Sequence, residues 1–562
     1  QAKCHYPRHR RQGRQNQSVA TSYLKFQITN FKLFSFMKTF YTTTAIDYTN
    51  GQPHIGHAYE KVLADVITRY RKLRGDDAYY LTGVDQHGQK VQQTAEKEGI
   101  HPATYVRKTT KKFTTAWEKL ELQYDGWAET TDENHKACVA DILQKLYDQG
   151  QIYKKQYKGF YSIKQEQFLT DKERGEDGEF GAEWGQVEER DEENYYFKLS
   201  DHVEWLRNFV TGSDDFITPA FRKADVVNAI ERAEGNDLCI SRPKERLRWG
   251  IELPFDSEFV TFVWFDALIN YISFAGYNKP EGSDLPDFDK LWPANLHIIG
   301  KDILVPSHSI YWPCMLHAIG FTDEQMPSLL VHGFWNLNSG KVSKSEMTEE
   351  QKAMTDPVQL VEKFGADAVR YYLVRDIHTG RDSNFDPERL VMLFNTELAN
   401  NLGNLCNRGL SMTKRFLNGA TAESSYDDEL SQELREQSGV TIAAYQEAMD
   451  RYCVSEALEH VIKYITLCNQ YTDKQAPWSL AKDETKLAEL TTVLGHLTEV
   501  VAIVSVLLKP IIPAACERIQ AQLKADFLAN VSIDQLKWGM IPTGQEVAKP
   551  KPVFPRISLE EE

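Results

Sequence analysis

Two short polar segments, far apart in the chain, carry residue types suited to phosphate chemistry. His54-Ile55-Gly56-His57 sets two imidazoles three residues apart, a spacing that projects both from one face of a helical turn. At the first turn of a helix, unpaired backbone N–H groups and the helix dipole attract phosphate, and Gly56 lets a ligand approach the backbone closely. Taken alone, these four residues fit a helix start with two surface histidines equally well. Gly340-Lys341-Val342-Ser343-Lys344-Ser345 adds two ammonium groups and two hydroxyls. By itself that segment reads better as a solvated basic turn.

The elements around the first segment give it a setting. Residues 39–46 are rich in β-branched and aromatic types, and Tyr48-Thr49-Asn50-Gly51-Gln52-Pro53 reads as a turn. Ile55, Ala58, Tyr59, Val62, Leu63, Val66, Ile67 and Tyr70 then recur at helical spacing, with Pro53 placed to open the helix. Asp77-Ala78-Tyr79-Tyr80-Leu81-Thr82-Gly83 predicts the next strand, and Val84-Asp85-Gln86-His87-Gly88 the loop at its carboxyl end. This is a βαβ unit, and open parallel sheets bind ligands beyond those carboxyl ends. Strand-like pieces at 259–264 and 295–299 are expected in the same sheet. Residues 151–198, between the βαβ unit and those pieces, are polar, acidic and glycine-containing, which predicts an inserted module. From about residue 390, helical periodicity over 390–416, 430–450, 453–472, 484–508 and 511–524 predicts a bundle. The prolines of Lys549-Pro550-Lys551-Pro552-Val553-Phe554-Pro555 exclude helix there, and Glu560-Glu561-Glu562 reads as a solvated tail.

A chain of 562 residues with 41% hydrophobic and 26% charged residues has the composition of a soluble multidomain protein. No run of 18 or more apolar residues predicts a membrane span. The net charge of -16 argues against a protein that coats nucleic acid through its overall field, so any RNA partner must meet a local basic surface. Eight cysteines without a C-x-x-C pair read as free thiols in a reducing compartment, with no zinc knuckle. The first 36 residues are basic, and no acidic residue precedes Asp47. Either they are a transit peptide or they are not native to the fold, with Met37 as the natural start; the second reading is preferred.

Together, the two polar segments resemble the paired HIGH and KMSKS signatures of class I aminoacyl-tRNA synthetases, with Val342 in place of the usual methionine. From about residue 38 onward the chain is similar to methionyl-tRNA synthetases. The segments that carry the likeness are Ala45-Ile46-Asp47-Tyr48-Thr49-Asn50-Gly51, Gly83-Val84-Asp85-Gln86-His87-Gly88, Val263-Trp264-Phe265-Asp266-Ala267-Leu268-Ile269-Asn270-Tyr271, Ile299-Gly300-Lys301-Asp302 and Gly365-Ala366-Asp367-Ala368-Val369-Arg370-Tyr371. The resemblance implies a Rossmann-like parallel-sheet catalytic domain with an inserted connective module, followed by an α-helical anticodon-binding bundle. In residue ranges this means an extension at 1–36, disordered or foreign to the fold; catalytic halves at 37–150 and 236–335 around a module at 151–235; a KMSKS region at 336–389; the helical domain at 390–540; and a tail at 541–562.

The resemblance also implies roles. Asp85 would pair with the methionine ammonium, a charge-assisted contact, and Tyr48 would close over the amino acid. Trp264, Ala267, Tyr271 and His308 would line the side-chain pocket, where a polarisable thioether suits aromatic faces. Plain core packing remains the alternative for Trp264 and Tyr271. Val305-Pro306-Ser307-His308 sets His308 one residue later than in many relatives. Arg242 would hold the carboxylate side, while Gly300 and Asp302 would meet the nucleotide. His54, His57, Lys341 and Lys344 would act on the phosphates of ATP, with Mg2+ as its counterion. Asn404, Arg408 and Trp478 match anticodon-reading positions, where stacking and base-edge hydrogen bonds read RNA.

Tyr161-Ser162-Ile163-Lys164-Gln165-Glu166-Gln167 stands where relatives carry zinc-binding cysteines, so no structural zinc is expected. The expected substrates are L-methionine, tRNA(Met) and initiator tRNA. The expected state is a cytoplasmic monomer without a membrane partner, or an organellar one if the extension is a genuine transit peptide. Two rivals stay open. A leucine, isoleucine or valine ligase would carry a large editing insertion, for which the interval from His57 to Lys341 is short; a cysteine ligase would bring a zinc-binding cysteine in its pocket. A non-catalytic tRNA-binding paralogue would have no need of His54, His57, Asp85 and Lys344 together.

Overall fold

A computed structural model describes residues 38–558, apart from 164–166, 170–173, 176, 262–263, 338–339 and 342–347. The expectations for residues 1–36, the Met37 start, Lys344 and Glu560–Glu562 therefore lie outside the described residues.

Threonines and aromatics make the first strand, Thr39–Thr44, which is buried on both faces and flanked by parallel neighbours. Asp77–Asp85 pairs on one side of it and Leu296–Gly300 on the other. The parallel sheet then extends outward to Gly126–Glu129 at one edge, and through Leu329–His332 to Ile217–Thr218 at the other. Two-residue Asp47–Tyr48 carries the line of the first strand onward, alongside Val84 and Asp85. Chain connections thus depart in opposite directions on either side of Thr39–Thr44, which opens a crevice between its carboxyl end and that of Leu296–Gly300.

Helix Ile55–Leu73 returns the chain from the first strand to Asp77, and its buried Ile55, Val62, Leu63, Val66 and Ile67 join the core against the sheet. Each such side chain contributes about 1.5–3 kcal/mol by leaving water. His54 caps this helix, so Pro53 precedes the cap rather than opening the first turn.

The expected strand at 259–264 does form, as Asp256–Thr261, but outside the parallel sheet. It pairs antiparallel with Ser241–Pro243 and Ile251–Leu253 in a small sheet of its own. Its accessible first half suits an antiparallel ribbon, not a strand covered on both faces.

The inserted module is a second antiparallel sheet built on the long pairing of Ile152–Ser162 with Val187–Phe197. Its fourth strand, Leu238–Cys239, comes from beyond the expected boundary at 235, while Ile217–Thr218 inside that boundary belongs to the parallel sheet. Three guanidinium groups, from Arg190, Arg242 and Arg246, stand 4.1, 5.1 and 4.5 Å from the centre of the buried Tyr161 ring. Cation–π packing therefore fills the module where the sequence has no cysteine pairs.

The bundle forms from Gly403–Phe416, Glu429–Asp450, Val454–Gln475, Leu487–Leu507 and Pro513–Leu523, close to the expected spans. By length and composition alone, Glu484–Leu507 is long and apolar enough to cross a membrane, although no unbroken apolar run marks it. Of its most apolar 18-residue window, 89% is buried, as in the central helix of a bundle. Arg370 ties the bundle to the sheet domain. Its buried guanidinium donates to Asp65 at 2.6 Å and to the carbonyls of Leu120, Pro510 and Ile511. Breaking such a buried pair costs about 3–5 kcal/mol. The proline-rich end runs back along the bundle, with Phe554 buried against Phe394 and Asn395 exchanging hydrogen bonds with the Ile557 backbone.

Candidate active site

At the crevice, the first helix begins with a reciprocal cap. The Gly56 N–H donates to His54 Nδ1 at 3.1 Å, and the His54 N–H donates to His57 Nδ1 at 3.1 Å, with the rings 3.8 Å apart. A neutral imidazole that accepts at Nδ1 carries its proton on Nε2. Both rings thereby become donors at their outer nitrogens, beside the positive end of a 19-residue helix. A Cβ on Gly56 would come within 2.9 Å of the His54 ring, so a side chain there would disturb the cap.

Asp85 ends its strand at the same rim. Its Oδ1 accepts from the His87 N–H at 3.3 Å and lies 3.4 Å from the Thr130 hydroxyl. Tyr48 pairs with Asp85 across the sheet, and its hydroxyl packs so close to Gly88, at φ +119, that a Cβ would approach it to 2.6 Å. Glycine is required there both for its backbone angle and for the space.

The expected pocket residues come together. Trp264 and Ala267 lie on the short helix Trp264–Ala267, Tyr271 on Asn270–Ser273, and His308 on a π-helical stretch, Leu304–Tyr311. The Tyr271 hydroxyl is 2.8 Å from His308 Nε2, and Trp264 stands edge-on to the His308 ring at 6.5 Å. His308 Nδ1 is 2.9 Å from the Ile303 carbonyl, which fixes the neutral tautomer: Nδ1–H donates to Ile303, and Nε2 accepts from Tyr271. Burial pushes the His308 pKa down to about 4 and the Tyr271 pKa well up, so both groups stay neutral. Behind them Tyr271 stacks on His297 at 4.2 Å. His297 accepts from the Trp312 indole at Nε2 and meets the Thr43 hydroxyl at 2.6 Å. His297 carried no signal in the sequence beyond its place in a strand.

Other expected residues lie elsewhere or at the margin. Gly300 ends its strand, with the Asp302 carboxylate folded back toward it. Arg242 is buried in the antiparallel sheets, donating to the Ser241 carbonyl at 2.6 Å and to Cys239 Sγ at 3.1 Å over the Tyr161 ring. Lys341 falls in a two-residue strand, Gly340–Lys341, paired antiparallel with Trp335–Leu337, and the signature continues into undescribed residues. On the bundle, Arg408 stands 5.3 Å from the Trp478 ring and donates to Asp473 at 2.7 Å. Asn404, one turn away, donates to the Asn400 carbonyl.

Comparison with known proteins agrees with this geometry. A family model described as "tRNA synthetases class I (M)" matches residues 40–179 and 182–410, and one described as "Anticodon binding domain of methionyl tRNA ligase" matches 419–562. This chain belongs to the methionyl-tRNA synthetases. Relatives include methionine–tRNA ligases of Lactococcus lactis, 38% identical over 93% of this chain and 78% of that protein, and of Bacillus subtilis, 38% identical over 93% and 79%. A crystal structure of Mycobacterium tuberculosis methionyl-tRNA synthetase bound by methionyl-adenylate superposes with a TM-score of 0.84 at 32% identity, covering 92% of this chain and all of that one. As a class I synthetase of the methionine family, the chain is a methionine–tRNA ligase that works through an adenylate.

Proposed function

We propose that the groups around the crevice divide the two half-reactions as follows. Asp85 holds the methionine ammonium, Tyr48 covers it, and the thioether lies against Trp264, Ala267, Tyr271 and His308. The neutral Tyr271–His308 pair presents polarisable faces without a charge that would favour an ionic side chain. A methionine carboxylate oxygen attacks the α-phosphorus of ATP, and pyrophosphate leaves with the electron pair of the broken P–O bond. The protein contributes positioning and charge stabilisation. His54 and His57 donate from Nε2 to phosphate oxygens, Gly56 and Gly300 allow close approach, and Asp302 suits ribose hydroxyls. Lys344, with Lys341, neutralises charge on the departing pyrophosphate. Mg2+ arrives as the counterion of ATP and belongs to the substrate. A hydroxyl of the terminal adenosine of tRNA(Met), elongator or initiator, then attacks the adenylate carbonyl and releases AMP. Arg242 would hold the carboxylate side of the amino acid.

On the bundle, Asn404, Arg408 and Trp478 read the anticodon. The working unit is a monomer divided near 150, 335, 389 and 540, with the module's sheet reaching past 235 to Cys239. Its seven described cysteines are free thiols, which suits the cytoplasm. The observation that carries the amino-acid assignment is the 2.8 Å Tyr271–His308 contact beside Trp264, at the carboxyl rim of the parallel sheet. Methionine-dependent ATP–pyrophosphate exchange, followed by charging of tRNA(Met), tests it. Signal with leucine and silence with methionine would overturn the assignment.

A further inference from the structure

Behind the pocket runs a buried chain of hydrogen bonds that the reaction scheme does not use. Ser273 Oγ lies 2.7 Å from His135 Nδ1, His135 Nε2 lies 2.9 Å from Asp266 Oδ1, and Asp266 Oδ2 lies 2.7 Å from His87 Nδ1. None of the four residues is more than 4% exposed. A carboxylate that accepts on both oxygens requires both imidazoles to donate, so a neutral His135 must accept the Ser273 proton at Nδ1. The Asn270 carbonyl, 3.4 Å from Ser273 Oγ, is the longer alternative acceptor for that proton. Although burial opposes it, His87 and His135 hold the Asp266 carboxyl below its usual range, so the central group is an anion.

The two ends of this chain are the two parts of the amino-acid site. Asp266 sits on the helix that carries Trp264 and Ala267, and Ser273 on the one that carries Tyr271. His87 belongs to the loop of Asp85, and its own N–H donates to the Asp85 carboxylate. The Trp249 indole fixes that loop further by donating to the Gln86 carbonyl at 2.6 Å. The Asp266–His87 bond joins segments 179 residues apart in the chain, on either side of the inserted module.

We propose that Asp266 is a positioning residue for amino-acid selection: by gripping His87 and His135 it sets the distance between the ammonium anchor at Asp85 and the floor of the thioether pocket, so that the site measures side-chain length. The inference rests on the assignment of Asp85 and the pocket given above. An apolar pocket separates neighbours by one methylene only about 10–200-fold. Keeping even that requires the anchor and the floor to hold station within roughly 0.5 Å.

The test is exchange kinetics on the full chain. Asp266→Asn keeps the shape but offers one imidazole an N–H where it needs an acceptor. The expected result is a methionine KM raised about 10–100-fold with the ATP KM within about twofold of the parent. The preference for methionine over ethionine, one methylene longer, and norvaline, which is shorter, should fall at least about tenfold. A merely structural role would raise both KM values together and leave the preference alone; either that pattern or an unchanged methionine KM overturns the proposal. Should Asp266→Asn not fold, Ser273→Ala, at the far end of the chain, should lose about threefold in the same preference, and parental selection in it would overturn the proposal. Asp85→Asn runs alongside. If Asp85→Asn leaves the methionine KM untouched, the site assignment itself fails; if it alone raises the KM, only the role of Asp266 fails.

Discussion

The amino-acid site and the cluster on the helical bundle use the same kinds of side chain in opposite ways. In the first, Tyr271, His308, His297 and Asp266 are at most 2% exposed, with Tyr271 bonded to His308 and Asp266 to His135. In the second, Trp478 is 41% exposed, and Arg408 bonds to a more exposed partner, Asp473. A small ligand has few atoms to recognise, so donors and acceptors must be fixed before it arrives. An RNA loop brings many, and side chains that read it must be able to exchange partners. A surface pair such as Arg408–Asp473 is worth about 0–1 kcal/mol, so little resists that exchange.

The two regions should therefore separate under mutation. Asp85→Asn removes the charge opposite the substrate ammonium, and its exchange kcat/KM for methionine should fall on the order of 100-fold, an effect of about 3 kcal/mol. Equal kinetics in mutant and parent would refute that role. Trp478→Ala should lower kcat/KM for charging tRNA(Met) by roughly 10–100-fold, the worth of one stacked base. Methionine-dependent exchange, which needs no tRNA, should stay at the parental rate; a matching fall there would erase the contrast. Tyr271→Phe leaves His308 Nε2 without its donor, and should lower the methionine kcat/KM by about tenfold while charging per adenylate formed is unchanged.

The smallest separation should come from pH. The folded His308 pKa of about 4 lies below an unfolded value of about 6.5. The unfolded chain therefore binds more protons between those values, and this group's contribution is present above pH 6.5 and lost as pH falls toward 4. The urea midpoint of the parent should drop over that window, and less steeply in His308→Gln. Identical slopes would show that His308 is not held neutral. The Arg408–Trp478 cluster, being exposed, should add nothing to that slope.

Much of this was legible in the sequence, for identifiable reasons. The repeating Ile55, Val62, Leu63, Val66 and Ile67 mark a helix because its period is local, and the bundle helices follow by the same logic. The resemblance to methionyl-tRNA synthetases pointed to Asp85, Trp264, Tyr271 and His308. Asp256–Thr261 was assigned to the wrong sheet because a strand's residues state that it pairs, not with which neighbour. That Arg242 is buried over the Tyr161 ring was not readable from Ile240-Ser241-Arg242, because tertiary packing decides it. Asp266 and His87 lay inside recognisable segments, yet their pairing across 179 residues and the recruitment of His135 from a helix start could not be read from either segment alone.

The central claim is that methionine is held between the Asp85 carboxylate and the Tyr271–His308 pair. A crystal structure of the full chain with a non-hydrolysable methionyl-adenylate analogue tests it directly. The predicted result is the ammonium nitrogen within about 3.2 Å of an Asp85 oxygen, and the sulfur against Tyr271 and His308. An ammonium bound by other groups, or a thioether outside that pocket, would contradict it.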